Sequence, residues 1–166
     1  IFFKSKKKIN LHRPVILIAS KKLILLQMKK LGYNFKINTI DKSKINFNLL
    51  DKDKINLINV DFRFNKIFDK ISSKSNSYIN QSFEIALKIL KEKKCAGLIN
   101  GPVSKKYFLK GKYLGITEFL ANKTNSKDNF AMLIYNKKIS VSPITTHLPL
   151  KVVHKFISKK KIINNV

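Results

Sequence analysis

Short apolar runs alternate with helical patterns along most of this chain, and that alternation constrains the fold more than any other feature. Strands that alternate with helices are typical of an α/β protein whose sheet is mostly parallel and flanked by helices. We predict this fold class, in one compact unit over residues 1–166. The predicted strands lie at residues 15–19, 35–40, 55–60 and 96–99.

Helix signals separate and follow these strands. Ser20 is a suitable N-cap for a helix over residues 21–31, and Gly32 suits the left-handed position that follows a helix. The clearest helix is predicted at residues 77–93, where apolar side chains recur at the spacing of one buried face. Further along we predict short helices at 104–110 and 117–123, a strand pair at 130–135 and 139–144, and a helix from Pro149.

The chain is strongly basic, with 35 Lys and Arg residues against 9 Asp and Glu residues and a formal net charge of +26. Such a charge favours nucleic-acid binding when the basic side chains gather on one face or arm. Here the lysines are spread along the whole chain and Ile and Asn are abundant as well, which indicates A- and T-rich codon usage. No zinc-finger spacing or aromatic RNA-binding motif accompanies the lysines, so nucleic-acid binding is not expected as the main function.

Cysteine usage and hydropathy indicate a cytoplasmic protein without a membrane segment. The single cysteine, Cys95, excludes an internal disulfide framework and is typical of a reducing compartment. The longest apolar run, at residues 14–19, has the length of a strand and not of a membrane-spanning helix. The first residue is Ile1 and the chain stops after Asn165 without an obvious helix cap, so we expect an incomplete sequence.

Two segments place polar residues where a predicted strand leads into a helix, at residues 98–105 and 144–150. Ligands of α/β proteins bind beyond the carboxyl ends of strands, and the free N–H groups of helix starts favour anions. In the first segment, ordinary turn chemistry explains Asn100, and Lys105 is one basic residue among 35. No Gly-x-Gly-x-x-Gly fingerprint is present, so a Rossmann dinucleotide site of that type is not indicated.

His147 is the histidine whose position says most about chemistry. It follows a predicted strand and two threonines, and it precedes a predicted helix. A neutral imidazole there can bind a divalent metal, oriented by a hydroxyl of Thr145 or Thr146, and a structural histidine explains the same pattern equally well. His12 and His154 are predicted surface residues, and no Ser or Cys has a paired base for nucleophilic catalysis.

Three segments resemble motifs of one enzyme family, in the family's order and with similar spacing. Residues 99–105 resemble its Thr-Gly-Pro-Val-Asn-Lys stretch, and residues 115–121 resemble its Gly-His-Thr-Glu-Phe-Leu-Ala element. Residues 145–150 are identical to its Thr-Thr-His-Leu-Pro-Leu signature. The chain therefore resembles the PdxA family of 4-hydroxythreonine-4-phosphate dehydrogenases over nearly its whole length.

The resemblance implies a fold like that of isocitrate and isopropylmalate dehydrogenases, which bind NAD without the Rossmann fingerprint. It implies oxidation of 4-phosphooxy-threonine with NAD and a divalent metal of the zinc, magnesium or cobalt class. Decarboxylation of the β-keto acid follows, in vitamin B6 synthesis. His147 matches a histidine that binds the metal, and Thr117 matches a threonine that contacts the substrate. Family members act as homodimers, and the resemblance assigns no further catalytic residue and no NAD-binding residue.

The family chain is longer at both ends, so we expect a partial dehydrogenase unit over residues 1–166 that is inactive alone. Ile116 stands where the family has a substrate-contacting histidine, which leaves open a related dehydrogenase of another phosphorylated hydroxy acid. Two alternatives from other classes remain, an inactive truncated remnant and a basic nucleic-acid-associated protein.

Overall fold

The computed structural model describes residues 1–8, 13–126 and 130–165. The chain divides into two compact units, Ile1–Pro102 and Val103–Val166. The first unit contains the parallel sheet, and the second contains the predicted site residues Thr117 and His147. The expectation of one partial dehydrogenase unit over residues 1–166 stays a prediction.

In the first unit, strands and helices alternate over residues 16–91 as the sequence predicts, and a helix that was not predicted precedes them at residues 2–8. Its three strands form a parallel sheet in the order β1-β3-β2, so the last strand lies between the other two. The predicted α/β class with a parallel sheet flanked by helices is confirmed. The elements are α1 (Phe2–Lys8), β1 (Ile16–Ala19), α2 (Lys21–Lys30), β2 (Ile37–Ile40), a 3-10 turn (Phe47–Leu49), β3 (Ile55–Asn59), a second 3-10 turn (Ser73–Ser75) and α3 (Asn76–Lys91).

The central strand β3 is buried on both of its faces, as expected of a parallel strand covered by helices. Its residues from Ile55 to Ile58 are all buried, and Leu57 lies opposite Leu17 of β1 and Thr39 of β2. Burial of one such aliphatic side chain contributes about 1.5–3 kcal/mol. The core of this unit is therefore organised around β3.

Asn56 is a polar residue among the buried residues of β3, and its side chain is completely buried. Its amide nitrogen donates to the carbonyl oxygens of Asp51 at 2.7 Å and Val15 at 3.3 Å. Its Oδ1 accepts from the backbone N–H of Asp51 and from Nδ2 of Asn38, both at 3.0 Å. All four hydrogen-bonding positions of the amide are used, so the side chain joins β3 to three neighbouring segments.

The second unit consists of short elements. Its small core forms where a π-helical turn packs against α4, with the ring of Phe119 at 5.2 Å from that of Phe108 and at 5.6 Å from that of Tyr113. The elements are the π-helical turn (Lys105–Leu109), α4 (Ile116–Lys123), β4 (Ile134–Tyr135), β5 (Ser140–Val141), α5 (Leu150–Val153), a 3-10 turn (His154–Phe156) and α6 (Lys159–Asn165).

Several predicted elements beyond residue 95 are wrong or need correction. Residues 96–99 form no strand in the structure, and Ile99 is 92% exposed, so no neighbouring layer buries it. The predicted helix at 104–110 is a π-helical turn, closed by the bond from the N–H of Lys110 to the carbonyl of Lys105 at 3.1 Å. The predicted strand pair shrinks to two residues on each side, and α6 was not expected from the sequence.

Candidate active site

Gly115 brings the backbone at the start of α4 close to two side chains that carry chemistry. A Cβ at this position would lie 3.0 Å from Oε2 of Glu118 and 3.8 Å from Nε2 of His147. Gly115 is buried and its backbone is extended, with φ −160° and ψ −178°, so this backbone does not require the conformational freedom of glycine. The missing side chain leaves a space that the carboxylate and the imidazole both approach.

Glu118 contributes an unsatisfied carboxylate oxygen to this space. Its Oε2 is buried and makes no hydrogen bond within the described ranges. A buried polar atom without a partner destabilises a fold by about 1–3 kcal/mol, and native proteins contain few such atoms. An arrangement of this kind is typical of a site that a bound ion or ligand completes.

His147 lies in the segment between the β4–β5 hairpin and α5, and its backbone is left-handed, with φ 58°. This conformation is uncommon outside glycine, although histidine adopts it more often than most residues, and it occurs often at functional sites. The side chain is exposed, while Thr145 and Thr146 before it are half-buried. Within the described part of the chain, neither threonine hydroxyl is hydrogen-bonded to the ring.

Thr117 lies in the first turn of α4, between Ile116 and Glu118, and is half-buried. Gly115, two residues before it, has its Cβ position 3.8 Å from Nε2 of His147. The structure thus places the segment of one predicted site residue next to the ring of the other, although 30 positions separate them in the chain. The roles of Thr117 in substrate binding and of His147 in metal binding remain predictions.

The set of possible metal ligands is small. Residues 1–8, 13–126 and 130–165 contain no group of three or more His, Cys, Asp or Glu side chains that could hold a metal ion. A catalytic zinc site normally has three protein ligands. His147 and Glu118 could supply two donors, an imidazole nitrogen and a carboxylate oxygen.

The first predicted junction, at residues 98–105, does not have the geometry that the sequence indicated. No strand precedes it, so the expected strand-to-helix junction is wrong there. Ser104 caps the π-helical turn by accepting from the N–H of Tyr107 at 3.4 Å, and Lys105 is exposed. π-helical turns occur often at functional sites, but no second feature of this segment indicates a ligand.

Sequence reasoning missed Gly115 and Glu118 as site residues. The available signal was their spacing, because a glycine before a helix and an acidic residue in its first turn meet one another. The sequence does not predict that the segment after the β4–β5 hairpin folds back and places His147 beside Gly115. Of the other histidines, His154 is exposed as predicted, and His12 lies outside the described residues.

Comparison with known proteins decides the family. The family model described as "Pyridoxal phosphate biosynthetic protein PdxA" matches residues 10–166. The chain belongs to the PdxA family. The resemblance seen in the three sequence motifs is thereby confirmed. Within the described ranges, none of the helices has both the length and the apolar character needed to cross a membrane.

Two PdxA relatives are named 4-hydroxythreonine-4-phosphate dehydrogenase. The protein from Sulfurihydrogenibium sp. is 34% identical over 175 residues, which covers 100% of this chain and 51% of the relative. The protein from Aquifex aeolicus is 39% identical over 72 residues, which covers 42% of this chain and 22% of the relative. The chain spans about half the length of the first of these PdxA relatives.

A solved structure supports the fold. The crystal structure of a 4-hydroxythreonine-4-phosphate dehydrogenase from Burkholderia phymatum matches this chain with a TM-score of 0.72 at 22% identity. The match covers 89% of this chain and 44% of that one. This PdxA chain therefore shares the fold of the corresponding part of that enzyme.

Proposed function

We propose that the complete protein catalyses the NAD-dependent oxidation of 4-phosphooxy-threonine, with decarboxylation of the β-keto acid product, in pyridoxal phosphate synthesis. The observation that carries the proposal is the family match over residues 10–166, together with the meeting of His147 and the Gly115 segment. The relative from Sulfurihydrogenibium sp., with 34% identity, carries the name of this dehydrogenase. An enzyme that uses NAD in this pathway is expected to act in the cytoplasm.

One ligand of the proposed divalent metal site lies in this chain, the imidazole of His147. The ring nitrogen of His147 lies 3.8 Å from the position of a Cβ at Gly115, and Oε2 of Glu118, which has no hydrogen-bond partner among the described residues, lies 3.0 Å from the same position. His147 would hold the metal there, and the remaining ligands would come from the part of the family chain that these residues do not span. When bound, such a metal polarises the alcohol of the substrate and stabilises the negative charge that develops during loss of carbon dioxide.

The chain's own residues orient the substrate. Thr117 stands in the first turn of α4, where its hydroxyl can donate to an anionic oxygen of the substrate alongside the free N–H groups of the helix start. The space at Gly115 lets the substrate approach the backbone there. We further propose that the complete protein is a homodimer.

A related dehydrogenase is the second candidate, because Ile116 cannot donate a hydrogen bond to a phosphate or a carboxylate. Ile116 is half-buried in the first turn of α4, next to Thr117. A substrate of slightly different shape, still a phosphorylated hydroxy acid, would suit an apolar side chain at this position.

The test is NADH formation by the complete protein with NAD, a divalent cation and each of the two substrate types in turn. We expect 4-phosphooxy-threonine to give the higher kcat/KM. Thr117→Val should raise KM about 5- to 10-fold, which corresponds to the loss of one hydrogen bond. His147→Asn should abolish turnover, whereas His154→Asn, a change at an exposed histidine, should not. Absence of NADH with both substrates would contradict the proposal.

A further inference from the structure

We propose that Tyr113 is a positioning residue for substrate binding, because its hydrogen bond to Asn122 holds the turn that carries Thr117 in place. The inference rests on the proposed function, in which Thr117 contacts the substrate. Tyr113 and Asn122 lie just outside residues 115–121, the segment that resembles the family element, so no sequence motif assigns them a role.

A hydrogen bond joins the chain before α4 to the last turn of α4. The hydroxyl of Tyr113 donates to Oδ1 of Asn122 at 3.0 Å, across nine positions of sequence. Both side chains are half-buried, so water competes for this bond only in part. Between the two partners the chain passes through Gly115 and Thr117, and the bond therefore restrains both ends of the segment that contains them.

Aromatic packing holds the ring of Tyr113. It meets the ring of Phe119 edge-on, with centroids 5.6 Å apart and an interplanar angle of 82°. Phe119 is buried, and its ring also packs against Phe108 of the π-helical turn, with centroids 5.2 Å apart. Edge-to-face contacts stabilise aromatic pairs beyond the burial of their area. The ring of Tyr113 is thus anchored in the small core of the second unit, and its hydroxyl reaches Asn122 from there.

The start of α4 has no side-chain cap of the usual kind to hold it. Gly115 occupies the N-cap position and makes no side-chain cap hydrogen bond, since glycine has no side chain. Glycine also loses more conformational freedom on folding than any other residue. α4 is only 8 residues long, and isolated helices of that length are marginal in water. The hydrogen bond of Tyr113 therefore supplies a restraint that the N-cap does not.

A restrained helix start favours binding, because order that exists before the substrate arrives does not have to be created when it binds. Thr117 lies in the first turn of α4, two residues after Gly115. Without the bond from Tyr113, this turn and the hydroxyl of Thr117 would sample more positions, and the substrate would have to select one of them. The loss should weaken substrate binding and leave the affinity for NAD and the chemical step largely unchanged.

The test is steady-state kinetics of the complete protein with Tyr113→Phe, which removes the hydroxyl and keeps the packed ring. The KM for 4-phosphooxy-threonine should rise about 3- to 5-fold, a part of what one hydrogen bond contributes. The kcat and the KM for NAD should stay within about 2-fold of the parent. Tyr135→Phe is the matched control, because Tyr135 is a 72% exposed tyrosine of the same unit, and it should behave like the parent.

A double variant separates positioning from a general structural role. In the background of Thr117→Val, Tyr113→Phe should change the KM for the substrate by less than about 2-fold, because the side chain through which it acts is already changed. A structural residue would raise KM by the same factor in both backgrounds. Equal factors, or a parallel loss in kcat and in the KM for NAD, would overturn the proposal.

Variants of Asn122 test the same bond from its other partner. Asn122→Ala removes the acceptor and should raise the KM for the substrate by the same factor as Tyr113→Phe. Asn122→Asp keeps an oxygen that accepts from the hydroxyl, so its KM should stay near that of the parent. These two variants carry the test if Tyr113→Phe does not fold. An equal rise in KM in Asn122→Asp and Asn122→Ala would show that the hydrogen bond is not the cause, and it would overturn the proposal.

The outcomes distinguish this proposal from the proposed function. If Thr117→Val raises the KM for the substrate while Tyr113→Phe and Asn122→Ala behave like the parent, only the positioning role of Tyr113 is wrong. If the parent forms no NADH with either substrate type, the proposed function is wrong and the role of Tyr113 fails with it. A rise in KM in Tyr113→Phe that disappears in the Thr117→Val background supports both proposals.

Discussion

Replacement of Asn56 by alanine is predicted to destabilise the first unit more than any other change of a single polar side chain. Asn56 is 0% exposed and lies in the central strand β3. Its amide makes four hydrogen bonds, two to carbonyl oxygens and two from N–H groups. Alanine can replace none of them, and water has no access to the groups that lose their partner.

The magnitude follows from the number of bonds. A hydrogen bond contributes about 1 kcal/mol net, so the loss of four should lower the free energy of unfolding by about 4 kcal/mol. Native domains are stable by only about 5–15 kcal/mol. Asn56→Asp separates the two kinds of bond, because it keeps the two accepted bonds and turns both donors into acceptors. At neutral pH it should be at least as destabilising as alanine.

Urea unfolding of the protein, followed by far-ultraviolet circular dichroism, measures this difference. The matched control is Asn48→Ala, which changes an exposed asparagine in the 3-10 turn Phe47–Leu49. The control should unfold within about 0.5 kcal/mol of the parent, as surface substitutions do. If Asn56→Ala also unfolded within about 1 kcal/mol of the parent, the view of Asn56 as the polar centre of the sheet would be refuted.

Three further predictions concern pH, backbone strain and association. Burial raises the pKa of Tyr78 above its ordinary value of 10.0, although its hydroxyl oxygen accepts from the N–H of Ser20 at 3.2 Å. Because the pKa of Tyr78 is higher in the folded state than in the unfolded state, the stability that Tyr78 contributes is complete below about pH 10 and is lost as the pH rises further. Melting curves recorded over a pH series should therefore show a smaller alkaline loss of stability in Tyr78→Phe than in the parent. An unchanged alkaline profile in Tyr78→Phe would contradict this. His147→Gly removes the steric strain of a left-handed backbone, so the free energy of unfolding measured with urea should stay level or rise by up to about 1 kcal/mol. A marked fall in that free energy would show that the imidazole stabilises the fold by packing. The hairpin side chains Tyr135 and Ile139 are 72% and 69% exposed. Changing both to lysine should reduce self-association of the protein, measured by light scattering, because exposed apolar side chains at a strand edge favour association. Unchanged scattering would mean that the protein associates through another surface.

The fold of the first unit could be predicted from sequence because its signals are local. The strands β1, β2 and β3 and the helices α2 and α3 lie within a few residues of the predicted ranges. Each is a continuous apolar run or a regular amphipathic pattern, and Ser20 caps α2 through its side chain as expected. The order β1-β3-β2 was not predicted, because strand order depends on packing between distant segments.

The second unit was harder to predict because its elements are short and their boundaries depend on tertiary contacts. The π-helical turn Lys105–Leu109 has the residue pattern of an ordinary helix, and the left-handed residues Lys110 and Gly111 end it. At the end of the first unit, residues 96–99 also look like a buried strand in sequence, yet Ile99 is 92% exposed. An apolar run indicates burial, but it does not supply the neighbouring layer.

The candidate site was predicted in part. His147 and Thr117 came from matches to family motifs, which identify residues without giving their surroundings. Glu118 is in the same matched segment, but only the structure shows that its Oε2 is buried and without a partner in the described ranges. Asn56 was hidden for a related reason, since one asparagine in an apolar strand resembles an interruption until its four bonds are seen.

The most direct test of the metal site is anomalous X-ray scattering from crystals of the complete protein grown with zinc. We predict an anomalous peak about 2.0–2.1 Å from the imidazole nitrogen of His147, the usual distance for a zinc–histidine bond. A fully occupied zinc elsewhere, with no peak at His147, would contradict the account.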